Sequence, residues 1–507
     1  MQPLQGKGSL ATYSYPEVIV PPTRVMDGDH EVTVETRRSE LYGVSVRQAG
    51  KAQEAYVMFT PNPHETGNLS ASPHTHWTNF SFSGEVTVTV KSLTGPIKSV
   101  ELYPARKAPS FTIDGNEVSF ELDSSDSELP LQLYVRINEE RDHPLLVFAD
   151  PPESDVPDRS NKRKVELIRT TDDIETVRAK LTSKKPYAVF EEGIHQWGND
   201  KTSEYAGYQL PYVSGKRIYI PGGAYVIGTF NGENIHNAKI YGRGVLSACG
   251  KDRLPGMPAI PYSMIHQAGE ASKQVIEGIV STDAPHFHLT FRGQVIIDNV
   301  KMIGYWHQTD GTVTGNNSVV KNTFMKTNDD YIKLYSDNSY HENNTMFHQV
   351  NGAPFQFCWG TQNGDNNMVK DTYIIYSSYG RGDNVKKNTA VINARNAPEQ
   401  ITENNIWDGI YIDNGCHMLI GLNAQGEEKS IFRNFIIRNV ILNTGFADAP
   451  QDGASYLRDG AAGNFVNIRF ENLVINGKPV TGSTSNSDKD GKGKLWCPEG
   501  GEYLIFK

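Results

Sequence analysis

From residue 237 onward the chain repeats one short phrase: an Asn, Asp or Glu, then alternating apolar residues, then a turn. Its carriers are Asn237 (HNAKIYG), Glu277 (IEGIVST), Asn299 (DNVKMIG), Asn322 (KNTFMKT), Asn344 (NNTMFHQ), Asp371 (KDTYIIY), Asn405 (NNIWDGI), Asn439 (RNVILNT) and Asn472 (ENLVING). The steps between them are 40, 22, 23, 22, 27, 34, 34 and 33 residues. Within each phrase the apolar period is two and β-branched residues abound, which excludes an amphipathic helix. A base step near 22 residues with longer insertions matches one coil of a right-handed parallel β-helix. The Asn falls where each coil turns a corner, in the left-handed backbone that Asn tolerates. KRIYIPGGAYVIGTF (216–230) reads as an early coil and FVNIRFENLVING (465–477) as one of the last. The stretch SNSDKDGKGK (485–494) reads as an exposed loop before a final strand.

Residues 1–165 follow a different pattern. EVTVETR, SELYGVSVRQ, GEVTVTVKSL, KSVELYPA, EVSFELD and LQLYVRIN alternate apolar and polar residues, with Gly, Pro, Asn and Asp between them. Short strands punctuated in this way predict an antiparallel β-sandwich. The chain is therefore all-β, with a sandwich domain over 1–165 and a β-helix domain over 166–507. DPPESDVPDRSNKRK (150–164) reads as the linker between them. TTDDIETVRAKL (170–181) reads as a short helix, acidic early and basic late. His74 and His76 would share one side of a strand. No third ligand of fixed spacing accompanies them, which favours packing or an interdomain contact over a metal.

At 507 residues the chain exceeds one compact core. Only 37 % of it is hydrophobic, while 46 glycines suit strands and tight turns. A formal charge of −10 argues against nucleic acid as a partner. Cys249, Cys358, Cys416 and Cys497 have no metal-finger spacing, and either buried thiols or disulfides fit them. No apolar run of spanning length exists, so no membrane is expected. The first residues lack the apolar segment of a signal peptide.

Chemistry concentrates between Tyr305 and Trp359. Asp310 precedes the strand GTVTG, and Asp330 precedes the equivalent YIKLY one coil later, with Asp329 beside it. Stacked coils sit about 4.8 Å apart, so the carboxylates should be near neighbours on one face. Three acids so close cannot all ionise, and one should keep its proton near neutral pH. That separation into acid and base is what glycosidic hydrolysis needs. The competing reading is structural, since turn aspartates commonly bond nearby backbone amides. Tyr305, Trp306 and Trp359 are candidates to stack on sugar rings, or else wedges between coils. Lys333 could bind a hydroxyl or tune Asp330. Gln356, on the next coil, could bond a substrate hydroxyl, and His307 and His348 could serve as proton partners.

YWHQTDG, NDDYIKLYSD, VNGAPFQFCWG and GRGVLS (242–247) resemble the core of the dextranase/isopullulanase family of glycoside hydrolases. The resemblance extends over the whole architecture and implies a β-sandwich followed by a right-handed β-helix. It further implies inverting hydrolysis; no cofactor or metal is expected. Asp329 resembles the general acid, and Asp310 and Asp330 the pair that activates water. The implied partner is a polysaccharide or oligosaccharide, most simply an α-glucan of dextran or pullulan type. A monomer that is secreted or periplasmic is expected. Arg381, Lys386, Lys387 and Arg395 would instead suit an anionic glycan. A polygalacturonase would carry Gly-His-Gly and Arg-Ile-Lys motifs after the acids, and neither string occurs. A lyase would need a Ca²⁺ cage or a base aimed at a uronate. A carbohydrate-binding β-helix with structural acids is the non-enzymatic alternative.

Overall fold

The computed structural model describes residues 8–507 apart from 28–29, 63–73, 126–128, 198–207, 251–262, 307, 350, 361, 378–389, 397–399, 417, 424–430, 444–455, 459–463, 485–494 and 497–503. The loop read at 485–494 and the basic residues Arg381, Lys386 and Lys387 lie outside the described residues, as does the side chain of Arg395.

The alternating N-terminal segments build two facing sheets. One runs Ser9–Thr12, Thr75–Ser83, Leu145–Asp150, Leu131–Ile137, Val100–Tyr103, with Met58–Thr60 also on Thr75–Ser83. The other runs Phe111–Asp114, Glu117–Asp123, Glu85–Ser92, Tyr42–Gln48, Lys51–Ala55. Period-two alternation sends Val86, Val88 and Val90 inward against Val44, Val46, Phe120, Leu133 and Val147. Among the described pairings of these two sheets one departs from the antiparallel expectation: Leu145–Asp150 runs parallel to Thr75–Ser83.

Parallel coils follow from Val165. A 20-stranded sheet extends to Leu504–Phe506, and a ten-stranded parallel sheet from Gln209–Pro211 to Tyr456–Arg458 forms another side. Ile174–Thr182 is the expected helix, capped by Asp173, whose side chain accepts the Thr176 N–H at 2.7 Å. Its Val177 and Leu181 join Ile168 and Ala188 in the β-helix core and close it at the first coils.

The single repeat read in the sequence resolves into two corner ladders. Gly278, Asn299, Asn322, Asn343, Asp371, Gly409, Asn439 and Asn472 all have positive φ. Each lies two residues before one of Val280, Lys301, Phe324, Thr345, Tyr373, Tyr411, Ile441 and Val474, which pair in that order. A second corner, also of positive φ, carries Asn237, Lys273, Asn317, Asn338, Asn366, Asn404, Asn434 and Asn467. Asn237 therefore belongs to a different ladder from Asn299. Asn344 and Asn405 are each one residue past a corner and fully buried, their amides donating to the Val320 and Gly364 carbonyls. Amides bond along the second corner, Asn467 to Asn434 at 2.8 Å and Asn434 to Asn404 at 3.0 Å.

The sandwich packs on outward-facing residues of the coils, with Trp77, Tyr134 and Phe148 against Val280, Ile303, Phe324 and Phe347. Asp150, read as the first residue of a linker, is instead fully buried at the end of its strand. Both its oxygens accept from Lys301 Nζ at 2.7 Å, and Arg243 Nε lies 3.5 Å away. Removing one partner of such a pair strands the others in a dry interior, at about 3–5 kcal/mol. Asp150→Ala should therefore lower the unfolding free energy by about 3 kcal/mol or more. Urea denaturation followed by tryptophan fluorescence would read this, and a loss below about 1 kcal/mol would mean that the pair contributes little.

Candidate active site

The ten-stranded sheet sets the site. Thr312 pairs with Ile332 and Val313 with Lys333, and Ile332 pairs in turn with Phe355. Leu289 pairs with Thr312 one coil earlier. Phe287, Asp310, Asp330 and Ala353 therefore occupy the same position, two residues before these strands, in four consecutive coils. Close approach requires small residues here. A Cβ on Gly311 would overlap the Tyr331 carbonyl oxygen, and one on Gly352, at φ 84°, would overlap the Asp329 carbonyl carbon.

Asp310, Asp329 and Asp330 each bring a carboxylate oxygen within 4.8 Å of the other two. Such a trio could hold a metal, but the cation among them is the protein's own. Lys333 Nζ lies 2.6 Å from Asp310 Oδ1 and 2.6 Å from Asp330 Oδ2. Phe287 and Tyr335 rings flank the ammonium at 5.5 and 5.3 Å. Burial alone would discharge the lysine, yet Asp310 and Asp330 overcome it and hold it well above its ordinary value. Lys333 is thus committed to the two carboxylates. Asp330 is tied twice, since its Oδ1 also accepts the Ala353 N–H at 3.0 Å.

Asp329 differs from its neighbours. It is half-buried where Asp310 and Asp330 are buried, and no ion pair to Lys333 accompanies it among the described residues. Its Oδ1 accepts the Asp330 N–H at 3.0 Å, and its Oδ2 accepts Asn351 Nδ2 at 2.9 Å. Burial and then the charge of Asp330 push its carboxyl up to about 7. Asp310 is also raised, by burial and by its two acidic neighbours against the pull of Lys333. Three carboxylates against one ammonium leave an excess negative charge that one proton relieves. Asp310 already faces the ammonium, so that proton is best held on Asp329, the half-buried member.

The remaining predicted residues fall differently. Tyr305 and Trp306 are half-buried and precede Asp310 in its coil, with the Trp306 carbonyl accepting from Thr309 Oγ1 at 2.7 Å. The Tyr305 hydroxyl donates to Asp283 at 3.1 Å. Trp359 lies in the strand Phe355–Gly360, its side chain outside the described residues, as is His307. Gln356 corrects the sequence expectation. It is fully buried, its Oε1 accepts Asn393 Nδ2 at 2.7 Å and its Nε2 donates to the Phe357 carbonyl, so it joins coils rather than awaiting a hydroxyl. His348 is buried too and bonds the Gly352 carbonyl at 2.9 Å, supporting the coil behind Asp329. Cys249 and Cys416 are buried thiols. Sequence reading missed Asn351, which also donates to the Asn328 carbonyl at 3.2 Å. The signal was there: Asn351 follows Asn328 by 23 residues, one coil step.

No family model matches the chain. Among curated proteins it is 25 % identical over 465 residues to a dextranase of Arthrobacter globiformis, covering 76 % of this chain and 70 % of that protein. It is 24 % identical over 438 residues to a dextranase of Arthrobacter sp. (strain CB-8), covering 71 % of this chain and 66 % of that one. Among solved structures, Dex49A from Penicillium minioluteum superposes with a TM-score of 0.79 at 16 % identity, over 99 % of both chains. The expected fold is therefore found: antiparallel sheets followed by long parallel coils.

A carboxyl raised in the folded state binds protons that the unfolded chain releases. Asp329 therefore costs stability as pH rises from about 4 toward about 7, and the cost is complete above that. Asp329→Asn should consequently be more stable than the parent at pH 8, on the order of 2 kcal/mol, with the gain vanishing by pH 4. Urea titrations at the two pH values check this, and an equal gain at both would exclude a raised carboxyl.

Proposed function

We propose, for a chain that belongs to the dextranase/isopullulanase family of glycoside hydrolases, that it cleaves an α-glucan of dextran or pullulan type by single displacement. The observation that carries the reading is the division among the acids. One ammonium binds two of them, and the third, half-buried, is pushed up to about 7. Asp329 delivers its proton to the glycosidic oxygen as the bond to the anomeric carbon breaks. Asp310 and Asp330 take a proton from the water that attacks that carbon from the opposite face. The proton gained by the pair and the one lost by Asp329 are exchanged with solvent before the next turnover.

Carboxylate oxygens within 4.8 Å of each other are closer than the roughly 6.5–9.5 Å usual for inversion. Two features favour a water all the same. Asp330 has one oxygen on Lys333 and the other on a backbone N–H, which leaves it poorly placed to bond carbon. An ammonium shared by both bases also lowers their nucleophilicity while leaving them able to orient water. Asn351 is a positioning residue for the acid, since it holds Asp329 Oδ2.

NMR of the first anomer released from dextran tests the stereochemistry directly. β-Product from the α-linkage is expected, and retained α-product would remove the water-activating role from Asp310 and Asp330. Asp329→Asn should lower kcat by roughly 10²–10⁴-fold. The activity should decline as pH rises through about 7, where Asp329 loses its proton. The Asn351 bond favours the ionised acid, so Asn351→Leu should move that alkaline limb upward while kcat falls. An unmoved limb would mean that Asn351 only packs.

A further inference from the structure

The acids stand at one point of a longer row. Phe230, Ile265, Leu289, Ile332 and Phe355 of the ten-stranded sheet lie in the core, so the residue after each faces outward. Asn231 pairs with His266, His266 with Thr290, Thr290 with Val313 and Val313 with Lys333. This outward row runs parallel to the axis of the coils. It reaches the carboxylates at Lys333, whose ammonium Asp310 and Asp330 share. At about 4.8 Å per coil, His266 stands about 14 Å and Asn231 about 19 Å from Lys333. On the later coils the row is closed, since Gln356 and Asn393 are buried and bond each other at 2.7 Å.

Toward the early coils the row offers polar groups that the protein leaves unused. Asn231 is half-buried, and no hydrogen bond engages its side-chain amide among the described residues. Its carbonyl accepts the Tyr212 N–H at 2.8 Å, which fixes the backbone beneath that amide. Arg292, two residues past Thr290 on the same side of the strand, is exposed, and no ion pair or hydrogen bond engages its guanidinium among the described residues. His266 is oriented by Thr290. Thr290 Oγ1 donates to Ser263 Oγ at 2.8 Å, so it accepts from His266 Nδ1 at 2.7 Å. The ring proton is therefore on Nδ1, and Nε2 presents a lone pair. Burial and then the charge of Arg292 hold the imidazole down to about 4, so Nε2 stays an acceptor at neutral pH. That atom is neither bonded by a described residue nor sealed from solvent.

These groups complement a neutral chain rich in hydroxyls. The guanidinium and the amide N–H groups donate to hydroxyl and ring oxygens, while the amide oxygen and imidazole Nε2 accept from hydroxyls. Val313, half-buried between Thr290 and Lys333, gives the row an apolar step on which sugar C–H groups can lie. Glu233, exposed and two residues past Asn231 on the same side, offsets the charge of Arg292. An anionic polymer would call for a surplus of positive charge along the row.

We propose that Asn231, His266 and Arg292 form a remote subsite that binds a glucosyl unit several places from the bond to be broken, and so favours long chains. The subsite rests on the hydrolysis proposed above for the identity of the sugar, though its binding can be measured without turnover. Asn231→Ala with Arg292→Ala removes two side chains that have no described partner in the protein, so the double variant should fold as the parent does. The readout is kcat/KM for isomaltoheptaose relative to isomaltotriose, because a trisaccharide spanning the scissile bond falls short of Asn231. The double variant should lower that ratio about tenfold. An unchanged ratio, whether or not overall activity falls, would overturn the subsite and leave the hydrolytic reading standing. In the chain carrying Asp329→Asn, isothermal titration should show isomaltoheptaose bound about tenfold more weakly once the same two substitutions are added. If the intact chain cleaves no α-glucan while the substitutions still weaken isomaltoheptaose, the hydrolytic reading falls and the subsite stands. A chain that neither binds nor cleaves these oligosaccharides would overturn both.

Discussion

Everything at the site depends on the parallel hydrogen-bond ladder that locks one coil onto the next. Because Thr312 pairs with Ile332 and Ile332 with Phe355, the residues two places earlier must stack. A slip of one residue would turn Asp310 or Asp330 to the opposite side of its strand. Corner residues of positive φ enforce the register on both flanks of the long sheet. Their amides bond each other in places, so the corners add their own ladder to the backbone's.

That rigidity lets the fold sustain an arrangement that solution chemistry would reject. Three neighbouring carboxylates, two buried and one half-buried, repel one another, and Lys333 offsets only part of the charge. The strain falls on Asp329, which keeps a proton at a pH where a free aspartate would not. Support comes from behind as well as below. Asn351 spans the Asn328 carbonyl and the Asp329 carboxyl, while Asn328 Nδ2 donates to the Tyr305 carbonyl at 2.8 Å. Tyr305 in turn donates to Asp283, which lies 3.8 Å from Arg37 of the sandwich. The sandwich therefore braces the coils through Arg37 and Asp150, both buried against them. A site that is costly in itself is tolerated because a large packed body over-determines it.

Much of this was legible in the chain. Period-two alternation located the sandwich strands, and six of the nine repeat carriers do have positive φ. What the repeat could not show was that a coil has more than one corner. Asn237 and Asn299 look alike in sequence because both turns make the same backbone demand. The NN pairs at 343–344 and 404–405 hide which Asn turns and which is buried, a question only the register answers. The three acids were readable because adjacent coils and adjacent residues are sequence facts. Lys333 was placed near them, but its bridging of two coils depends on side-chain reach. Gln356 and Asp150 failed for the same reason: polar character suggests solvent, and only packing reveals a buried partner such as Asn393 or Lys301. The histidine cluster of the sandwich was half visible, since His143 meets His74 and His76 in space and nothing in local spacing links it to them.

The central claim is that one carboxyl of the three holds a proton near neutral pH and that it belongs to Asp329. Infrared or ¹³C carboxyl titration of the chain between pH 4 and 9, taken as a difference against Asp329→Asn, measures this without any substrate. The claim predicts one carboxyl ionising near 7 in the parent and missing from the variant. A difference spectrum whose only carboxyl titrates near 4, with the ordinary aspartates, would contradict it.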